Sequence, residues 1–251
     1  MTVRDIYNAI DAFAPFLAQE KWDNSGLLVG DNRQAVNKVL VTLDISCGAL
    51  LKAEQEKCDV IVSHHPVIFS PLKSIGSDSI VYELCRQGIA AICCHTPLDV
   101  ADGGLNDLLA DRLCSVLKVE DVAPLMIGEP GRILTLQKAL PCAEIASAAK
   151  NVLGCTSVRY TGEVSVKRLG ICTGSGSSLL EEIEGSCDCL LTGDVKHDRW
   201  YKAQELEMGL IDCGHYHTEI LMVPYVAEKL RKAHPTLEVV EFVEGDPVSY
   251  V

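Results

Sequence analysis

The chain has 251 residues, 48% of them hydrophobic, a size that allows one large domain or two of ordinary size, each with its own core. Its formal net charge of −13 argues against a general binder of phosphate backbones, while a carboxylate-rich chain suits divalent cations. With no apolar window of about 19 residues and no charged-then-apolar leader, the expectation is a soluble, unexported, cytoplasmic protein that binds no membrane. Twelve cysteines are present, but most sit inside apolar runs (Cys93, Cys94, Cys172, Cys189, Cys213) and none forms a C-x-x-C pair. They read as reduced, buried thiols of a cytosolic compartment, because an unpaired Cys packs as a small hydrophobe.

In chain order, Thr2 is a candidate N-cap for a helix in which Ile6, Ile10, Phe13, Ala14 and Leu17 recur at helical spacing. Residues 22–30 form a turn cluster that leads into a short apolar strand. Residues 37–44 alternate Val39, Val41 and Leu43 and end in an acid, after which Ser46 caps a helix to about Lys57. The run Val60-Ile61-Val62-Ser63-His64-His65-Pro66 reads as a strand buried on both faces, with two histidines at its C-terminal end. In open α/β sheets ligands bind at that end. Pro66 holds His65 in an extended conformation, and neighbours in an extended segment point to opposite sides, which suits two metal ions better than one. A helix over 78–87 and a buried strand over 89–95 bring His95, then Asp99, and a helix over 105–117 completes a strand–helix alternation typical of a mostly parallel sheet.

The order repeats after a break near 120–124. A strand over 132–137 precedes Pro141, placed at the first position of a helix to about Val152, and a second strand covers 165–172. The loop at Gly174, Ser175, Gly176 and Ser177 then enters a helix, the layout of an anion cradle, so these residues are candidate phosphate contacts. Strands over 187–193 and 209–214 end in Asp194-Val195-Lys196-His197 and His215-Tyr216-His217-Thr218-Glu219. The expected architecture is therefore α/β, with two similar three-layer-type domains over 1–123 and 124–251, mostly parallel sheets, and a metal site in the cleft between them. His215 and Glu219 are spaced i, i+4, so on a helical turn a nitrogen and a carboxylate face one way. On a strand, His215 and His217 would share a face instead. Asp99 adds a hard oxygen ligand, and imidazole with carboxylate suits zinc, iron, manganese, nickel or cobalt. His234, beside Pro235, reads as a surface residue.

Residues 22–30, Ser63-His64-His65-Pro66, His95-Thr96-Pro97-Leu98-Asp99, Gly193-Asp194-Val195-Lys196-His197 and Gly214-His215-Tyr216-His217-Thr218-Glu219 together resemble the GTP cyclohydrolase I type 2 homologue family, also called the NIF-three-like dinuclear metal centre family. The likeness spans nearly the whole chain and rests on separated motifs in the right order. It implies two divalent metal ions held by His64, His65, Asp99, His215 and Glu219, with Glu219 bridging, in a toroidal homohexamer of the short form that lacks an inserted domain. Two functions follow. One is a metal-dependent hydrolase of a nucleotide or related cyclic amide, with His95 and His197 as candidate catalytic residues and Asp194 as a weaker one. The other is a non-catalytic metal-binding or partner-docking hexamer. With 5% aromatic residues no base-stacking platform is expected, which disfavours nucleic acid as a partner.

Overall fold

A computed structural model of the chain describes residues 1–126, 130–249 and 251, which divide into two units. The first is Met1–Ala101 with Met222–Gly245, and the second is Asp102–Leu221 with Asp246–Val251.

The first unit opens with α1 (Val3–Asp11). The N–H and hydroxyl of Thr2 both donate to the Asp5 carboxylate, at 2.7 and 3.0 Å, so the first turn carries an acid where the helix dipole favours one. Ile6 and Ile10 are buried as the spacing predicts, and Val3 is buried with them. Leu17 departs from that pattern: the helix stops at Asp11, Pro15 leads into a 3-10 turn at Phe16–Ala18, and Leu17 is 99% exposed. Next come β1 (Gly26–Val29), β2 (Lys38–Thr42), α2 (Cys47–Glu56), β3 (Val60–Ser63), α3 (Ile80–Gln87), β4 (Ala90–Cys93) and α4 (Thr96–Val100). The hydroxyl oxygens of Ser46 and Ser79 accept from the Ala49 and Val81 N–H groups and cap α2 and α3. Every residue of β3 and β4 is buried, which is why their sequences are continuous apolar runs and not alternating ones.

The second unit contains α5 (Leu105–Cys114), β5 (Val119–Pro124), β6 (Arg132–Pro141), α6 (Cys142–Leu153), β7 (Arg159–Thr161), β8 (Ser165–Ile171), β9 (Cys189–Thr192), α7 (His197–Glu205), β10 (Gly209–Asp212) and α8 (His215–Glu219). The chain then returns to the first unit with α9 (Met222–Ala233) and β11 (Glu238–Glu241).

Among the described residues there are two sheets, with strand orders β1-β4-β3-β2-β11 and β5-β6-β8-β9-β10-β7. In the first, β11, β2, β3 and β4 are parallel neighbours and only β1 pairs antiparallel. In the second, β8, β9 and β10 are parallel, flanked by antiparallel β5, β6 and β7. The expected α/β class with two sheets is the one observed; parallel pairings are the majority over the two sheets together, while the second sheet by itself has two parallel and three antiparallel pairings. The expected division at 123/124 differs from the observed one, because β11 pairs in parallel with β2 (Val239 opposite Val39), and α9 packs on α1 and β2. The expected break at 120–124 is the strand β5, an edge whose residues are mostly exposed and so show no apolar pattern. Strand β6 also runs on to Pro141, which ends the strand and precedes α6 instead of opening it. No helix among the described residues is long and apolar enough to cross a membrane.

Candidate metal centre

In the first unit the ends of β3 and β4 set out three imidazoles. His64 and His65 follow β3, and His95 follows β4, the parallel neighbour. Ring centroids are 5.0 Å apart for His64 and His65, 5.1 Å for His64 and His95, and 5.6 Å for His65 and His95. Their ligand nitrogens lie within 4.8 Å of one another. Each ring is held by its Nδ1. His64 Nδ1 lies 3.0 Å from the Cys94 carbonyl oxygen, His65 Nδ1 2.8 Å from Asp44 Oδ1, and His95 Nδ1 2.8 Å from Asp23 Oδ1. A carbonyl or carboxylate oxygen only accepts, so Nδ1 carries the proton and Nε2 offers the lone pair, the tautomer a metal ligand needs. The short helix α4 starts directly after His95 and buries Asp99, whose Oδ1 is 3.7 Å from His64 Nε2. An imidazole lone pair facing a carboxylate at that distance suits a cation between them.

Asp23 is the hub behind His95. Its side chain is fully buried and accepts from His95, from the hydroxyls of Ser25 (2.7 Å) and Thr96 (2.5 Å), and from the Thr96 N–H (3.2 Å). Burial alone raises its pKa, but the bonds from His95, Thr96 and Ser25 outweigh that and hold it well below the usual carboxylate range. The carboxylate therefore stays ionised and fixes the His95 ring.

In the second unit the segment after β10 folds as α8, so the helical alternative holds for His215 and Glu219. Their Nε2 and Oε2 are 2.9 Å apart, while His215 Nδ1 is 2.7 Å from Asp194 Oδ2. With carboxylates at both ring nitrogens, His215 is oriented by Asp194, and its Nε2 lies close enough to Glu219 for the two to share an ion. Gly174 is required here: its φ is +64°, and a Cβ would lie 2.1 Å from Glu219 Oε1 and 3.3 Å from His215 Nε2. Thr218 anchors the same loop, its hydroxyl oxygen accepting from the Gly174 N–H at 3.0 Å. Imidazole nitrogens with fixed tautomers, buried Asp99 and buried Glu219 thus form donor sets that fit borderline divalent ions in both units.

Other expected site residues are placed elsewhere. His197 is the exposed first residue of α7, its ring against Tyr201 at 5.3 Å and in none of the histidine groups just described. His217 faces Asp246, with Nε2 3.3 Å from Oδ2, and does not pair with His215 as a strand would require. The expected anion cradle at Gly174, Ser175, Gly176 and Ser177 also differs: it enters a three-residue 3-10 turn and not an α-helix. The N–H groups of Gly174 and Gly176 are spent on the hydroxyls of Thr218 and Thr192, and Ser177 is buried. Sequence reasoning passed over Asp23 and Asp44 as functional residues. The available signal for Asp44 was an acid just beyond a strand end, as in Asp194, whereas Asp23 lies in the turn before β1.

The sequence and the fold have counterparts in known proteins. The family model described as Duf34/NIF3 (NGG1p interacting factor 3) matches residues 1–247. A Clostridium acetobutylicum protein named GTP cyclohydrolase 1 type 2 homolog is 29% identical over 244 residues, covering 93% of this chain and 91% of its own. The NGG1-interacting factor 3 of Saccharomyces cerevisiae is 28% identical over 262 residues, covering 92% of this chain and 91% of its own. A crystal structure of a hypothetical protein from Staphylococcus aureus superposes with a TM-score of 0.89 at 24% identity, over 100% of this chain and 99% of that one, a likeness of fold. With motifs, fold and a match along nearly the whole length in agreement, the chain belongs to the Duf34/NIF3 family.

Proposed function

We propose that the protein is a dinuclear metal-dependent hydrolase of a nucleotide or related cyclic amide. In this reading His64, His65, Asp99, His215 and Glu219 are the residues that would hold two divalent ions. The observation that carries it is the common anchoring of the imidazoles: His64, His65, His95 and His215 each engage an oxygen acceptor through Nδ1, which turns Nε2 outward as a ligand or proton carrier. Divalent ions bound there supply Lewis-acid activation of water and of the substrate's electrophilic group. The chain's own part is positional. Asp23 keeps His95 in one tautomer, and His95 Nε2 takes or returns a proton at the reacting oxygen or nitrogen. Zinc, iron, manganese, nickel and cobalt all suit the donor set. The names of the bacterial relatives support hydrolysis of a nucleotide. The yeast relative's name favours a second reading, a metal-binding protein that docks a partner. A homohexameric, toroidal assembly and a cytoplasmic location belong to the same proposal.

The test is metal analysis with activity. The metal-saturated protein should carry close to two ions per chain, lose hydrolysis of guanosine triphosphate on chelation, and regain it with added metal. Glu219→Ala should release more metal than His217→Ala. Equal turnover by the wild type and His64→Ala, purified identically, refutes the hydrolase and leaves the partner-docking reading. At most one ion per chain refutes the dinuclear centre.

A further inference from the structure

Low aromatic content predicts no stacking platform, yet the fold assembles one beside His95 from two loops far apart in the sequence. Trp22 and Phe69 are 58% and 53% exposed, and their rings lie 6.1 Å apart at an interplanar angle of 40°. Both meet His95 edge to face: Trp22 at 5.8 Å and 77°, Phe69 at 6.4 Å and 71°. Exposed aromatic rings cost solubility and add little to a core, so a pair of them gathered on one candidate proton carrier calls for a ligand.

The pair is also held in place. Asp23, next to Trp22, is tied to His95, Ser25 and Thr96. Asn24 Nδ2 donates to the carbonyl oxygen of Ile68, next to Phe69, at 2.6 Å, which links the two loops directly. Each ring therefore stands one residue from a hydrogen-bonded anchor, an arrangement that limits the ordering cost of binding. Other exposed apolar residues, such as Leu17 on its 3-10 turn and Leu51 on α2, have no such anchoring to the histidines.

We propose that Trp22 and Phe69 form a stacking platform, on whose exposed ring faces a planar heteroaromatic ring, a nucleobase or its like, lies beside His95. The proposal rests on reading the His95 cluster as a substrate site, and it narrows the substrate to a compound with a flat π-system. Face-to-ring stacking of this kind accepts any base, so the platform sets the class of substrate and not its identity.

The chain has two tryptophans, so Trp200→Phe leaves Trp22 as the sole indole reporter. Guanosine and uridine, titrated into this full-length variant with and without zinc, should quench its emission saturably, and ribose 5-phosphate should not. Adding Phe69→Ala should weaken the guanosine response by about tenfold, and Phe69→Tyr should restore it. The platform is refuted by no saturable quench with either nucleoside, by an equal response to ribose 5-phosphate, or by an affinity unchanged in Phe69→Ala. Emission that shifts on dilution and ignores nucleosides also refutes it and assigns the pair to contact between copies of the chain. Saturable quenching without any turnover supports the platform and counts against the hydrolase alone.

Discussion

Asp194→Asn isolates the contribution of the carboxylate behind His215. Asp194 has φ +50°, in the left-handed region that Asn tolerates nearly as well as Asp, so the substitution keeps the size and the backbone and removes only the charge. His215 Nδ1 still finds an oxygen acceptor, but a charge-assisted hydrogen bond of about 1.5–3 kcal/mol becomes a neutral one of about 0.5–1.5 kcal/mol. The Asp194 side chain is 60% exposed, so solvent screens the difference to its low end, about 1 kcal/mol, or about fivefold in metal affinity. Asp194→Ala removes the orienting bond and adds backbone strain at a positive φ, so it should cost about 10- to 100-fold. The assay is competition for zinc with a chromophoric chelator, with Lys196→Ala as a control from the same loop. Affinities for Asp194→Asn and Asp194→Ala that both match the control refute the claim that this carboxylate tunes His215.

Two further outcomes follow from buried groups. Asp23 has a folded-state pKa held below its unfolded value near 3.9, so its contribution to stability is complete above about pH 5 and is lost as pH falls towards the folded value. Asp23→Asn should therefore cost about 2–3 kcal/mol in urea unfolding at pH 7, a gap that narrows below about pH 4, and a pH-independent gap counts against the ionised hub. For the cysteines, burial pushes the Cys94 thiol up to about 12 and that of Cys58 up to about 11, whereas Cys47 and Cys85 are exposed. A thiol reagent on the native protein should modify Cys47 and Cys85 first, and rapid labelling of Cys94 refutes the burial argument.

What was legible in the sequence was whatever local pattern determines. Continuous apolar runs announced β3 and β4 because both of their faces are covered, while the i, i+4 spacing of His215 and Glu219 admitted a helical turn beside the strand alternative, and the structure has the helix. Strand β5 left no trace because an exposed edge imposes no alternation, and Pro124 at its end reads as a break. The partnership of β11 with β2 was hidden for another reason. Val239 pairs with Val39 across nearly the whole chain, and nothing local in either strand selects the other. Leu17 kept the helical spacing of α1 beyond its end, because periodicity alone does not register that Pro15 and a 3-10 turn intervene.

The acceptors that fix the histidines follow from strand order, which explains both why they were missed and how they could be found. His64 and His65 leave the end of β3. Asp44 leaves the end of β2, and Cys94 the end of β4, the two parallel neighbours of β3. His215 leaves β10 and meets Asp194, which leaves β9, again the parallel neighbour. His95 leaves β4 and meets Asp23, which enters β1, the antiparallel neighbour whose start lies beside the end of β4. Parallel strands end side by side, so a histidine just past one strand and an acid just past the next are brought within hydrogen-bond reach. The ligands can thus be found from short motifs alone, but their orienting partners require the pairing of the strands. That pairing also decides which nitrogen of each imidazole faces an incoming ion.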